Sequence, residues 1–170
     1  DLCLECKACK AECPSSVDMA KLKYEFLAQY YGKRGFPLRS HLFAHIDMLN
    51  RWMSPLASLF NVIMRSAPNR WLLQRLFGID SRRRMPALSK ERFSTWFHRR
   101  PATTASTTRG TVVFYNDTFT EYNEPEIGRA AVELLEAAGF KVVLPERKKC
   151  CGRPMISKGF LKEARQRAAE

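Results

Sequence analysis

Cys3-Leu-Glu-Cys6-Lys-Ala-Cys9-Lys-Ala-Glu-Cys13-Pro14 is the stretch from which the rest of the chain is read. Four of the six cysteines fall in it, spaced C-x2-C-x2-C-x3-C and followed at once by proline. Steps of three residues return successive sulfurs to one side of a tight turn, and the looped backbone can aim its N–H groups inward. Pro14 lacks an N–H and helps stop the loop before the next element. Thiolates at this spacing hold iron–sulfur clusters. A structural zinc site usually brings two C-x2-C knuckles from segments far apart in sequence. A disulfide inside so compact a loop would be strained, and nothing in the chain points to an oxidising compartment. Zinc and regulatory thiols are therefore the weaker readings.

The spacing is that of bacterial ferredoxins, in which the fourth cysteine of each run can ligate a second cluster. Cys3, Cys6, Cys9 and Cys13 are thus either the full ligand set of one 4Fe–4S cubane or three ligands of one cluster and a fourth sent elsewhere. The second arrangement needs another cysteine run, which this chain lacks. Beyond the loop, Ser15 or Asp18 can cap a helix, and Ser15-x-x-Asp18 has capping-box spacing. Met19, Leu22, Phe26 and Tyr30 recur at close to helical period and are expected to cover the cluster as core. Gly32 and Gly35 punctuate its end.

The chain has 170 residues, six cysteines, and a formal net charge of +12 from 29 Lys+Arg against 17 Asp+Glu. The charge is uneven: residues 1–32 are net −1, residues 110–170 net +1, and residues 33–109 net +12. The longest run without charge, Trp52 to Met64, has 13 residues and is too short to span a bilayer. No signal-peptide pattern opens the chain. The basic middle reads as two or three helices broken near Pro55, Pro68 and Gly78, with Arg39, Arg51, Arg65, Arg70 and Arg75 punctuating apolar runs. Arg82-Arg83-Arg84 is a cation cluster, but no nucleic-acid-binding signature accompanies it, so nucleic acid is disfavoured. A solvated face and a basic docking face for an anionic membrane or a partner subunit both remain open. His41 and His45, four apart, could present two imidazoles to a metal, although packed or exposed histidines account for them more simply.

Past a small, polar linker at 101–110, Thr111-Val-Val-Phe-Tyr115 and Phe140-Lys-Val-Val-Leu144 read as buried strands. Between them lies a helix, capped by Asn123, whose apolar stripe is Ile127, Ala131, Leu134 and Ala138. This β-α-β unit predicts parallel strands with a right-handed crossover, followed by a final helix over about 157–169. Cys150-Cys151-Gly152 lies just past the second strand, where open α/β sheets place sites. Lys148, Lys149 and Arg153 would favour thiolates there, for metal ligation or redox work. Two thiolates do not complete a site, so further ligands must come from elsewhere. Two small buried hydrophobes are the plainer alternative.

Cys3 to Pro14 running into Val17-Asp-Met-Ala-Lys-Leu-Lys-Tyr-Glu-Phe-Leu27 resembles the iron–sulfur portion of large FAD-linked oxidases of the D-lactate, glycolate and D-2-hydroxyglutarate dehydrogenase type. Tyr122-Asn-Glu-Pro-Glu-Ile-Gly-Arg-Ala-Ala131 and Cys150-Cys-Gly-Arg-Pro-Met-Ile-Ser157 resemble the cysteine-rich CCG domain of the same polypeptides. Heterodisulfide reductase and the anaerobic glycerol-3-phosphate dehydrogenase iron–sulfur subunit share that domain. Where the complete domain has an earlier cysteine, this chain reads Asn116-Asp-Thr-Phe119; a downstream C-x2-C and any G-x-G flavin-binding stretch are also absent.

The resemblance implies an α+β architecture in four segments. Residues 1–37 form an all-α ferredoxin-like 4Fe–4S segment, 38–100 a basic helical extension, 101–110 a linker, and 111–170 a partial β-α-β-α CCG domain. It also implies an electron-transfer module in which Cys3, Cys6, Cys9 and Cys13 hold the cluster and Cys150 and Cys151 are additional metal or redox residues. FAD would reside in another domain of the same polypeptide and not on this fragment, and the acceptor would be a quinone or an electron carrier. A cytoplasmic setting, peripheral on the inner face of the membrane, is expected. No acid–base constellation is apparent, so the fragment alone is not expected to be catalytic. The chain is expected to be an internal piece of a longer oxidoreductase. A heterodisulfide-reductase-like or glycerol-3-phosphate-dehydrogenase-like subunit is the alternative.

Overall fold

Ala8–Ala11 (α1) is a single helical turn in the cysteine loop, entered through Lys7 in the left-handed region at φ 66°. In the computed structural model, residues 3, 6–101, 109–146 and 148–169 are described, so most of the polar linker lies outside the described residues. Met19–Arg34 (α2) starts where the Asp18 carboxylate accepts the Lys21 N–H at 2.9 Å. Asp18, not Ser15, is thus its cap. It ends where Gly35 turns at φ 84°. The expected apolar stripe does not become core. Met19, Leu22, Phe26 and Tyr30 are exposed, and the helix buries Ala20 and Tyr24 instead. The reason is the close approach of the chain at Gly159, where a Cβ would lie 2.9 Å from the backbone of Leu27 and Ala28. That contact selects the inner face of α2.

Leu38–Ala44 (α3), Ile46–Met53 (α4), a 3-10 turn at Ser54–Leu56, Ala57–Arg65 (α5) and Ala67–Phe77 (α6) make up the basic middle. It holds four α-helices over 38–77 rather than the two or three expected, because α3 and α4 part at His45, while the other breaks fall as the prolines and glycine dictate. Pro55 sits in the 3-10 turn, Pro68 in the first turn of α6, and Gly78 closes α6 in the left-handed region. Phe93–Arg99 (α7) lies within the helical extension expected over 38–100, although no individual helix is expected there. Two β-strands, Thr111–Val113 (β1) and Lys141–Val143 (β2), pair in parallel with Val112 opposite Val142, as the β-α-β reading requires.

Thr118–Tyr122 (α8), capped by Asp117, and Pro125–Ala137 (α9) lie between the strands. Asn123 does not cap α9. Its side chain accepts from Asn50 and donates to the Ala87 carbonyl, and Glu124 precedes the helix without a side-chain cap. The stripe predicted for α9 is also rotated, because Ile127 and Leu134 are exposed at 57% and 72% while Gly128 and Val132 are buried. Gly128 explains the rotation: a Cβ there would fall 2.6 Å from the Phe93 ring, so α7 packs directly on its backbone. Arg153–Ser157 (α10) and Leu161–Ala169 (α11) complete the described elements, a mostly helical α+β arrangement.

Packing gathers the chain into two compact units, residues 1–46 with 151–170, and residues 47–150. The first has its core at Ala44, Met155, Phe160 and Ala164, with the Phe36 ring stacked on Phe160 at 4.0 Å between centroids. The second centres on Phe93, Val132 and Val142, flanked by Trp96, Phe97 and Phe114. A nearly buried ion pair, Arg100 Nη1 to Glu136 Oε2 at 2.7 Å, ties α7 to α9.

Candidate iron–sulfur and cysteine sites

The amino-terminal loop keeps its shape through short backbone contacts. The Lys10 N–H donates to the Lys7 carbonyl at 3.0 Å, and the Ser16 N–H to the Cys13 carbonyl at 3.0 Å. Lys7 and Ser16 both have positive φ, at 66° and 54°, so two left-handed non-glycine residues bracket Cys9 and Cys13. Such backbone costs ~1–2 kcal/mol per residue and persists where the loop over-determines it. Cys9 rides on α1, Cys6 precedes it, and Cys13 follows. All four thiols are unbridged; Cys3, Cys6 and Cys9 are exposed and Cys13 is half-buried. The Lys23 ammonium on α2 donates to the Cys3 sulfur at 3.1 Å.

Among the described residues no three His, Cys, Asp or Glu side chains converge as a metal-holding group. The four sulfurs share one loop without closing on a common centre. Their chemistry nonetheless suits a thiolate-ligated cluster: four cysteines outside any disulfide lie on one turn-rich segment, three of them exposed, and Cys3 has a cationic donor in reach.

Cys150 and Cys151 fall on either side of the division between the two packing units. Cys150 is half-buried and faces Thr118, whose Oγ1 lies 3.8 Å from its sulfur. From the stretch Asn116–Phe119, Thr118 reaches Cys150 and brings a hydroxyl rather than a thiol. Cys151 is exposed and is followed by Gly152, which enters α10 at φ 73°. The left-handed conformation accounts for glycine after the cysteine pair.

A buried polar cluster lies beside Cys150. Glu121, 6% exposed, accepts from the Ser94 hydroxyl at 2.5 Å and the Ser94 N–H at 3.2 Å, and also from Asn116 Nδ2. The Lys148 ammonium stands 3.9 Å from Glu121. Burial lowers the pKa of Lys148 from the usual lysine range, against the opposing pull of Glu121 and then Asp117. The Tyr115 hydroxyl donates to the Lys149 carbonyl and holds the backbone next to Cys150.

The other candidates resolve as packing or surface. His45 Nε2 pairs with Glu163 at 3.0 Å, and both the His41 and His45 rings meet Phe160 edge-on. Within the triple-arginine run, Arg82 is committed to Asp80 at 2.7 Å. Among the described residues no helix is long and apolar enough to cross a membrane.

Sequence reasoning did not single out Lys23, Glu121 or Ser94. No spacing rule links Lys23 to Cys3, 20 positions away. Glu121 is presented by α8, which packs on α7 and α9.

Comparison with known proteins agrees with this division of motifs. Residues 112–170 match the family described as CCG, cysteine-rich domain. One of the subunits of the anaerobic glycerol-3-phosphate dehydrogenase of Escherichia coli (strain K12) is 33% identical over 155 residues, covering 91% of this chain and 39% of that protein. D-2-hydroxyglutarate dehydrogenase of Pseudomonas putida is 28% identical over 170 residues, covering 94% of this chain and 16% of that enzyme. An uncharacterized iron–sulfur protein of Methanococcus maripaludis is 24% identical over 157 residues, covering 92% of this chain and 25% of that protein. The chain thus spans well under half the length of these relatives. No solved structure shows significant similarity to it. Residues 112–170 are thus similar to the CCG cysteine-rich domain family, in a chain similar over most of its length to an iron–sulfur protein and to two dehydrogenase polypeptides.

Proposed function

We propose that this chain is the iron–sulfur electron-relay segment of a flavin-linked oxidoreductase acting on a 2-hydroxy acid. The observation that carries the reading is the loop of four cysteines outside any disulfide, Cys3, Cys6, Cys9 and Cys13, with the Lys23 ammonium at the first of them. A 4Fe–4S cluster held there would carry single electrons from FAD, bound by another domain of the parent polypeptide, towards a quinone or an electron carrier. The chain's own part is to fix the loop through its two left-handed residues, to supply the thiolates, and to place a cation beside Cys3. Cys150 and Cys151 are additional thiols. With Thr118 presenting a hydroxyl to Cys150, they complete a metal site only with ligands supplied from elsewhere.

The 33% identity to the anaerobic glycerol-3-phosphate dehydrogenase protein favours a second reading, in which the flavin sits on a separate polypeptide. The two differ in whether FAD copurifies on the chain that carries Cys3 to Cys13. The protein would work in the cytoplasm, peripheral on the inner face of the membrane. The +12 segment at 33–109 and the exposed Trp52, Leu59, Val62 and Trp71 support such contact with an anionic bilayer.

Single-turnover kinetics of the full-length protein test the relay. With Cys9→Ser, substrate should still bleach the flavin while reduction of the quinone analogue stops. Unchanged acceptor reduction would reject the relay.

A further inference from the structure

Asn61 on α5 makes two bonds to one residue of a distant loop. Its Nδ2 donates to the Leu88 carbonyl and its Oδ1 accepts the Leu88 N–H, both at 2.8 Å. This pins the segment before Leu88 against α5 and α6 and leaves a cavity of about 470 Å³. Three arginines line it, Arg65 from the end of α5, Arg70 from α6 and Arg84 from the pinned segment, with Met64 and Met85 beside them. No acid is among the described lining residues. The carboxylate nearest in sequence to Arg84, Asp80, is already engaged by Arg82 through Nη2 at 2.7 Å and Nε at 3.0 Å.

Of the three, Arg70 is the one with a buried donor left without a hydrogen-bond partner. Its Nη1 has one long contact, 3.5 Å to the Ser81 carbonyl, and its Nε is buried with no hydrogen-bond partner. A guanidinium carries five donors, and leaving one buried and unpaired is unfavourable unless an acceptor arrives. Three planar forks around one space, without a counter-charge, suit an anion with several acceptor oxygens and more than one negative charge. The thioethers and Pro86 give an apolar flank for the organic part of an ester.

We propose that Arg65, Arg70 and Arg84 form a seat for a phosphoryl oxyanion, either a soluble phosphate ester or the headgroup of an anionic phospholipid. The seat does not depend on the electron-relay reading. It touches the membrane reading only in the second of its two sources, and the experiment separates them.

The full-length protein is titrated with inorganic phosphate by calorimetry, with acetate as control. It is also sedimented with phosphatidylcholine vesicles with and without phosphatidylglycerol. Arg83→Gln, outside the cavity lining, removes the same charge as Arg84→Gln and controls for diffuse attraction. Arg65→Lys keeps the charge and loses the fork, so it remains informative if Arg70→Gln disturbs folding. In the arm that binds, Arg70→Gln and Arg84→Gln should each weaken binding by about tenfold, and Arg83→Gln by less than about twofold. Phosphate binding without vesicle binding assigns a soluble ester and rejects the membrane reading. Vesicle binding alone, with the same arginine dependence, assigns a headgroup. An Arg83→Gln loss as large as that of Arg84→Gln, equal binding of acetate, or no binding in either arm overturns the seat.

Discussion

The Lys23 ammonium on α2 reaches back 20 residues to donate to the Cys3 sulfur at 3.1 Å. A cationic donor on a ligating sulfur stabilises added negative charge at the centre, and hydrogen bonds to cluster sulfurs are among the determinants of reduction potential. Lys23→Met should therefore lower the midpoint potential of the reconstituted protein by about 60 mV, the equivalent of a tenfold change for one electron. Redox titration followed by EPR reads it directly. Lys23→Arg should keep most of the potential.

Asp18 caps α2 and lies 3.1 Å from Lys10 in the cysteine loop. The Lys21 amide bond, and after it the Lys10 ammonium, hold its carboxyl below the usual 3.8 despite some desolvation. The folded pKa is depressed, so the contribution is present above 3.8 and is lost as pH falls through the lower folded value. Fraying of the α2 start should follow the Asp18 titration by NMR. Asp18→Asn should keep a capped helix and abolish that pH dependence.

Gly159 combines φ 85° with backbone 2.9 Å from where a Cβ would sit. Gly159→Ala then costs about 2–4 kcal/mol, from left-handed strain and from forcing the chain away from α2. Urea unfolding measures it. An alanine at the exposed Gly32, where nothing lies within 4 Å, should cost nothing and serves as the matched control.

Glu121 satisfies Ser94 and Asn116 and offsets the Lys148 charge from inside the fold. Glu121→Ala leaves these groups buried without their acceptor and should destabilise by about 2–4 kcal/mol. Glu121→Gln keeps an acceptor and should cost less in the same thermal unfolding experiment.

Much of this architecture was legible in the residues themselves. The parallel pairing of Val112 with Val142, and the breaks at Pro55, Pro68 and Gly78, follow from local chemistry that tertiary context did not overrule. The helix faces did not follow. Both α2 and α9 turn their most apolar stripes outward, because glycines permit a closer approach elsewhere. Gly159 against Leu27 decides one and Gly128 against Phe93 the other. Periodicity reports that a stripe exists, not which backbone comes close enough to choose a different one. The four-cysteine spacing was readable for the same reason that Lys23 was not. Ligand spacing is encoded locally, whereas a donor to Cys3 depends on where α2 lies in the fold.

Anaerobic reconstitution of the protein with iron and sulfide, followed by metal and sulfide assays and EPR of the reduced form, tests the central claim most directly. The expected result is about four irons and four sulfides per cysteine loop, with a reduced cubane signal that is lost in Cys9→Ser and Cys13→Ser. A colourless, folded protein with stoichiometric zinc and no iron would contradict it.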